Sequence, residues 1–176
     1  DPATESGGGQ LQRYQSSFID LFDTVTLVVG YASTEEEFSA EMTGFHDLLE
    51  EYHQLYDIYN DYEGVNNIKT INDNAGGDPV EVDRRIIDLL LFAKEMYERT
   101  DGQTNVMLGS VLALWHDARE YGINNPEDSY LPDADALAEA NAHTSMDSLV
   151  IDDENNTVQI TDPLARLDVG AVAKGY

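Results

Sequence analysis

From Thr34 onward the sequence carries a helix start followed by a one-sided apolar stripe, and this pairing constrains the fold more than any other feature. Thr34-Glu35-Glu36-Glu37 has the form of a capping box, with Glu37 able to reach back to the cap. Phe38, Met42, Phe45, Leu49, Tyr52, Tyr56 and Tyr59 follow at spacings of four and three, which puts them on one helix face. Just upstream, residues 24–31 (TVTLVVGY) are rich in β-branched side chains and read as a strand. The stripe is therefore expected to pack on a sheet, its first members as plain core.

Further along, residues 60–78 shift to Asn, Asp and Gly and read as a long loop. Residues 79–82 (PVEV) can pair briefly as a strand, and Asp83 then caps a second helix to about Thr100 with Ile86, Ile87, Leu90, Ala93 and Tyr97 buried. Gly102 stands where a left-handed helix stop is expected. A third helix is expected over 107–121, carrying the single tryptophan, Trp115, and a small alanine-rich helix follows the Asp133 cap to about Ala142. Residues 149–151 and 157–160 flank Asp152–Asn156 as a β-hairpin. A strand, several helices, then a hairpin and a final strand predict an α+β fold rather than a doubly wound sheet.

The formal net charge is −26, from 35 acidic and 9 basic residues. That field repels nucleic acid and anionic membrane surfaces, because both need clustered Lys and Arg. Its plain reading is solubility. A nucleotide substrate would have to be met locally, by a cation, backbone N–H groups or a single well-placed lysine. Cysteine is absent, which excludes disulfides, thiolate zinc sites and cysteine nucleophiles. No apolar run approaches the roughly 18 residues of a membrane-spanning helix. No signal peptide is visible, and the start at Asp1 suggests a mature or trimmed form. Residues 1–10 (DPATESGGGQ) read as a flexible leader, and residues 1–17 together are assigned to a leader or tether.

The closing residues, LDVGAVAKGY, are the most informative. Asp168 falls at a strand end, Gly170 and Ala171 let a ligand approach the backbone, and Lys174 follows in a starting helix. Helix N-terminal N–H groups and a nearby lysine suit a phosphate. A strand-to-helix turn whose glycines serve geometry alone explains the same residues equally well. Other polar groupings favour structural readings. His46, Glu50 and His53 read as a solvated helix face, although they could be drawn as a metal site. His116 and Asp117 are adjacent on a helix and point apart. Asp152-Asp153-Glu154 lacks the alternating ligands and glycine of a calcium loop.

The closing segment resembles the D-(L/V)-G-(G/A)-(I/V)-A-K-G-Y signature of the ApbE family, the FAD:protein FMN transferases. Three further blocks agree in order: FDTVT at 22–26, LYDIY with NIKTIN between 55 and 72, and TDGQTNV at 100–106 with Gly109 and LALW at 112–115. The resemblance implies a T-fold-related antiparallel sheet packed with helices, of which residues 18–176 would form the N-terminal part of one catalytic domain. It implies that Asp168, Lys174, Gln103, Thr104, Asn105, Tyr59 and Phe22 contact FAD, and that the main-chain carbonyl of Ala171 helps hold Mg²⁺. Asn105 stands where many relatives have Asp, so a charged role there is not carried over.

The activity implied is Mg²⁺-dependent transfer of FMN from FAD to a threonine hydroxyl of a target protein, with release of AMP. The implied partners are flavin-acceptor subunits of membrane redox complexes. The implied location is extracytoplasmic, on a lipid anchor whose cysteine is not in this sequence. No residue is assigned as catalytic. The family's aspartate and threonine metal ligands are expected beyond Tyr176, so the chain alone is expected to be inactive. Two other readings fit the same half-site: an FAD-binding protein that transfers nothing, and an acidic fragment that docks a partner.

Overall fold

A computed structural model describes residues 10–22 and 24–176. Residues 1–9 of the expected leader, and Asp23 of the FDTVT block, lie outside the described residues. The chain divides into two compact units, 1–53 and 54–176.

The first unit is a β-hairpin with a helix against it. Strand β1 (Gln12–Phe18) pairs antiparallel with β2 (Thr26–Ala32), in a register running from Gln12 opposite Ala32 to Phe18 opposite Thr26. Residues 12–17 were assigned to the leader from sequence, and the structure corrects this. Polar residues dominate β1, so its strand character comes from pairing with β2 and not from its own composition. Helix α1 (Glu35–Tyr56) starts with the expected cap, Thr34 Oγ1 accepting the Glu37 N–H at 3.1 Å. Glu37 reaches back one residue further than expected, to the Ser33 N–H at 3.0 Å. The apolar stripe meets the hairpin through ring pairs, Tyr14 with Phe38 at 5.6 Å and Phe18 with Phe45 at 6.5 Å. Gly30 makes room for this packing, since a Cβ there would stand 3.0 Å from the Phe38 ring.

The second unit holds a three-stranded antiparallel sheet in the order β3-β5-β4, from β3 (Val80–Glu81), β4 (Leu149–Asp152) and β5 (Thr157–Ile160). Four helices precede the last turn: α2 (Ile68–Asp73), α3 (Arg84–Arg99), α4 (Gly109–Asn124) and α5 (Ala134–Asn141). Single-turn α6 (Gly170–Ala173) follows the final extended segment. The core is mainly apolar: Ile68, Ile86, Ile87, Leu90, Val158 and Leu167 are at most 1% exposed, alongside buried Asn67 and Asn72. Burying six such side chains supplies roughly 1.5–3 kcal/mol each before entropy is subtracted.

Three element expectations change. The final strand expected before Gly170 is extended chain joined to Leu108 only by an isolated parallel bridge at Arg166. The loop expected over 60–78 contains α2, which is set by a capping box: Asn67 Oδ1 accepts the Thr70 N–H while Thr70 Oγ1 accepts the Asn67 N–H. The stripe of α1 ends at Tyr56, and Tyr59 lies beyond the helix, about half exposed. The predicted hairpin, the Asp83 and Asp133 caps, and the positive φ of Gly102 (80°) are all present.

Candidate functional site

Asp57 ends α1 and organises the turn that presents Tyr59. Its Oδ1 accepts the N–H of Tyr59 at 2.6 Å and of Asn60 at 3.2 Å, and its Oδ2 accepts from Asn60 Nδ2 at 2.9 Å and the Tyr62 hydroxyl at 2.7 Å. An aspartate satisfying the next two or three N–H groups is how a chain leaves a helix without orphaned donors. Asp57 is only 8% exposed. Burial works to raise its pKa, but the donated hydrogen bonds from Asn60, Tyr59 and Tyr62 outweigh it and hold the carboxyl below the usual range. Asn67, fully buried, ties the turn to α2 by donating from Nδ2 to the Asn60 and Gln54 carbonyls.

Tyr59 itself meets α4. Its ring lies 5.1 Å from His116, tilted by 30°. His116 accepts from Arg119 at 2.9 Å, so it is engaged there and not with Asp117.

Gln103, Thr104 and Asn105 follow the Gly102 turn. Gln103 is exposed and Thr104 half-buried, its N–H held by Thr100 Oγ1 at 2.9 Å. Asn105 uses both ends of its amide locally: Nδ2 donates to the Thr144 carbonyl at 2.9 Å, and Oδ1 accepts the Met107 N–H at 2.8 Å. A neutral amide can donate and accept at once, which an aspartate at this position could not.

The final segment is clamped against this one. Asp168 N–H donates to the Val106 carbonyl at 2.8 Å, and Leu108 bridges Arg166 in parallel. Gly109 permits the approach, because a Cβ there would fall 2.6 Å from the Arg166 carbonyl oxygen. From the other side, buried Asn72 accepts the Leu167 N–H at 2.7 Å and donates to the Leu167 carbonyl at 2.9 Å. Sequence motifs around 72, 105 and 168 thus meet through hydrogen bonds to the main chain of the final segment. Asp168 is half-buried, and its Oδ1 accepts the Gly170 N–H at 2.9 Å. That contact occupies one N–H of the α6 start which was expected to face a phosphate. Ala171 and Lys174 are exposed, Ala171 in the first turn of α6 and Lys174 just past its end.

Phe22 belongs to the first unit. It has φ +57°, its N–H donates to His53 Nδ1 at 3.2 Å, and its ring packs edge-on to His53 at 5.3 Å. In the same unit His46 pairs with Asp20 at 2.9 Å. His46, Asp47 and Glu50 offer ligand atoms within 4.8 Å of one another, with Asp47 and Glu50 exposed and the His46 ring edge-on to Phe18 at 4.9 Å.

A model of the ApbE family matches residues 22–176, nearly the whole described chain. The chain belongs to the ApbE family. Among its relatives is the FAD:protein FMN transferase of Klebsiella pneumoniae (strain 342), 31% identical over 127 residues, a match covering 70% of this chain and 38% of that protein. The FAD:protein FMN transferase of Treponema pallidum (strain Nichols) is 32% identical over 114 residues, covering 62% and 30%. The crystal structure of the ApbE protein from Thermotoga maritima superposes with a TM-score of 0.72 at 26% identity, over 94% of this chain and 50% of that one. The flavin transferase ApbE from Vibrio cholerae shares the fold at a TM-score of 0.74 and 21% identity, with the same coverage. The α+β architecture with small antiparallel sheets is therefore an ApbE fold. The ApbE-family chain spans half or less of the length of these relatives.

The residues that sequence reasoning missed are Asp57, Asn67, Asn72 and Arg119, while His116 was weighed only beside Asp117. Asn67 and Asn72 stand inside a motif block, but nothing in their spacing showed that one is a buried cap and the other a clamp on a segment 95 residues away.

Proposed function

We propose that this chain forms the flavin-binding part of an FAD:protein FMN transferase. FAD is the substrate. A threonine hydroxyl oxygen of the target protein bonds to the FMN phosphorus, the pyrophosphate bond to AMP breaks, and the hydroxyl proton is released. Such a reaction depends mainly on positioning and on stabilising charge at the phosphates. The observation that carries the reading is the clamp: Asn72 on Leu167 and Val106 on Asp168 draw three family-like blocks into one neighbourhood.

On this reading Tyr59 supplies an aromatic wall for the flavin, Gln103 and Thr104 border the dinucleotide, Asp168 takes a polar contact, and Lys174 offers a cation to a phosphate. Asn105 supports the loop instead of facing the ligand. The Asp168 carboxylate and Ala171 carbonyl are hard oxygen donors of the kind Mg²⁺ takes from a protein when phosphates and water complete its shell, so these residues fit the ion. When bound, Mg²⁺ would neutralise the pyrophosphate in this acidic chain. The targets are flavin-accepting subunits of membrane redox complexes, and the location is the outer side of the cytoplasmic membrane, on a lipid anchor.

Titrating FAD with the chain, with and without MgCl2, is expected to quench flavin fluorescence saturably. Unchanged flavin fluorescence at all protein concentrations would remove the flavin reading.

A further inference from the structure

Strands β4 and β5 end their pairing at Leu149 and Ile160, and just outside it the Ser148 carbonyl accepts the Thr161 N–H at 2.9 Å. Farther out, His143 and Asp162 join the two sides again, Nδ1 to Oδ2 at 2.7 Å, with side chains 24% and 25% exposed. An ionised carboxylate can only accept, so His143 carries a hydrogen on Nδ1. That hydrogen bond, with the Leu164 N–H donated to Oδ1 at 2.9 Å, holds the Asp162 carboxyl below the usual range.

The pair closes a circuit. The carbonyl of Thr144, next in the chain to His143, accepts Asn105 Nδ2 at 2.9 Å. Val106, next to Asn105, accepts the Asp168 N–H at 2.8 Å, and the chain leads from Asp168 back to Asp162. Three hydrogen bonds thus join the stretches 105–106, 143–144 and 162–168 end to end. Ser110 Oγ donates to the Leu164 carbonyl at 2.6 Å, so the imidazole ties the Thr144 side to a turn already anchored on α4.

We propose that His143 and Asp162 are positioning residues of the flavin site, which fix the Thr144 carbonyl and through it the spacing of the 103–105 loop from Asp168. This rests on the flavin-transferase reading, in which Gln103, Thr104 and Asp168 meet the dinucleotide. A loop already set at its bound spacing costs the ligand little ordering, whereas a released one is ordered at the ligand's expense.

The full chain is compared with His143→Ala, His143→Asn, His143→Gln and a stability control outside the circuit, Asp83→Ala, which removes the α3 cap. FAD affinity is read by flavin fluorescence, and the Asn105 side-chain amide by its proton and nitrogen resonances without ligand. His143→Ala is expected to move those resonances and to raise the Kd for FAD about three- to tenfold. Asparagine carries its amide nitrogen on Cγ, as histidine carries Nδ1, so His143→Asn is expected to return both readouts most of the way. His143→Gln, whose amide sits one bond farther out, is expected to resemble His143→Ala, and decides the matter should that variant not fold. Asp83→Ala is expected to lower the melting temperature while leaving the Kd within about twofold. An Asn105 amide that stays unmoved in both His143→Ala and His143→Gln overturns the circuit. A moved amide with an unchanged Kd, an asparagine variant no better than the glutamine one, or an equal rise in Asp83→Ala overturns the positioning role. Wild-type chain that binds no FAD defeats the flavin reading itself, a failure visible before any variant is compared.

Discussion

At the scale of single residues, the second unit depends on a few buried polar side chains whose every group has a partner. Asp57 is the clearest, with four donors converging on one carboxylate. Asp57→Asn places an NH2 where one oxygen accepted, and is expected to cost about 1–3 kcal/mol in urea unfolding and to loosen Tyr59. The pH dependence has a definite sign. The folded carboxyl titrates below the ordinary 3.8, so its contribution is complete above the unfolded value and is lost as pH falls through the folded one. The stability gap between wild type and Asp57→Asn should therefore be constant above about pH 5 and shrink below 3.8. A gap that stays level down to pH 2 would contradict the network's dependence on charge. Asn105 teaches a related lesson: its identity, read from sequence as a departure from relatives with Asp, is explained by an amide that donates to one loop and accepts from another.

At the scale of elements, helices marked by a repeated period or a clear cap were legible, and the short α2 was not. The 16-residue α3 shows its period and its Asp83 cap in the sequence, because several turns repeat the pattern. The six-residue α2 is too short to show a period, and sits in an Asn- and Asp-rich stretch that reads as loop. Its stability comes from Asn67, which caps it and also donates to two carbonyls outside it. Asn67→Ala is expected to cost about 2–4 kcal/mol, from the lost cap together with buried carbonyls left unpaired. Hydrogen exchange at the Thr70 amide should accelerate more than exchange in α3. Equal acceleration in both helices would mean that Asn67 supports the whole unit and not α2. Strand β1 was unreadable for a different reason, since its partner β2 carries the β-branched residues and β1 is defined by that pairing.

At the scale of the whole molecule, charge is the dominant variable. A net −26 opposes compaction by self-repulsion, and the screening length falls from about 10 Å at 0.1 M salt to about 3 Å at 1 M. The melting temperature is expected to rise by about 5 °C or more over that range of KCl, followed by circular dichroism; a salt-independent transition would show that the acidic groups are already balanced in place. By itself, the sequence determined the family-like blocks, the helix caps, the hairpin and the acidic surface, because each is written in neighbouring residues and local hydrogen-bonding rules. Tertiary structure alone decided that Asn72 grips Leu167, that Asp168 joins Val106, and that His116 meets Tyr59. These contacts join residues 57 to 95 positions apart, and periodicity carries no information about which distant surfaces a closed core will press together.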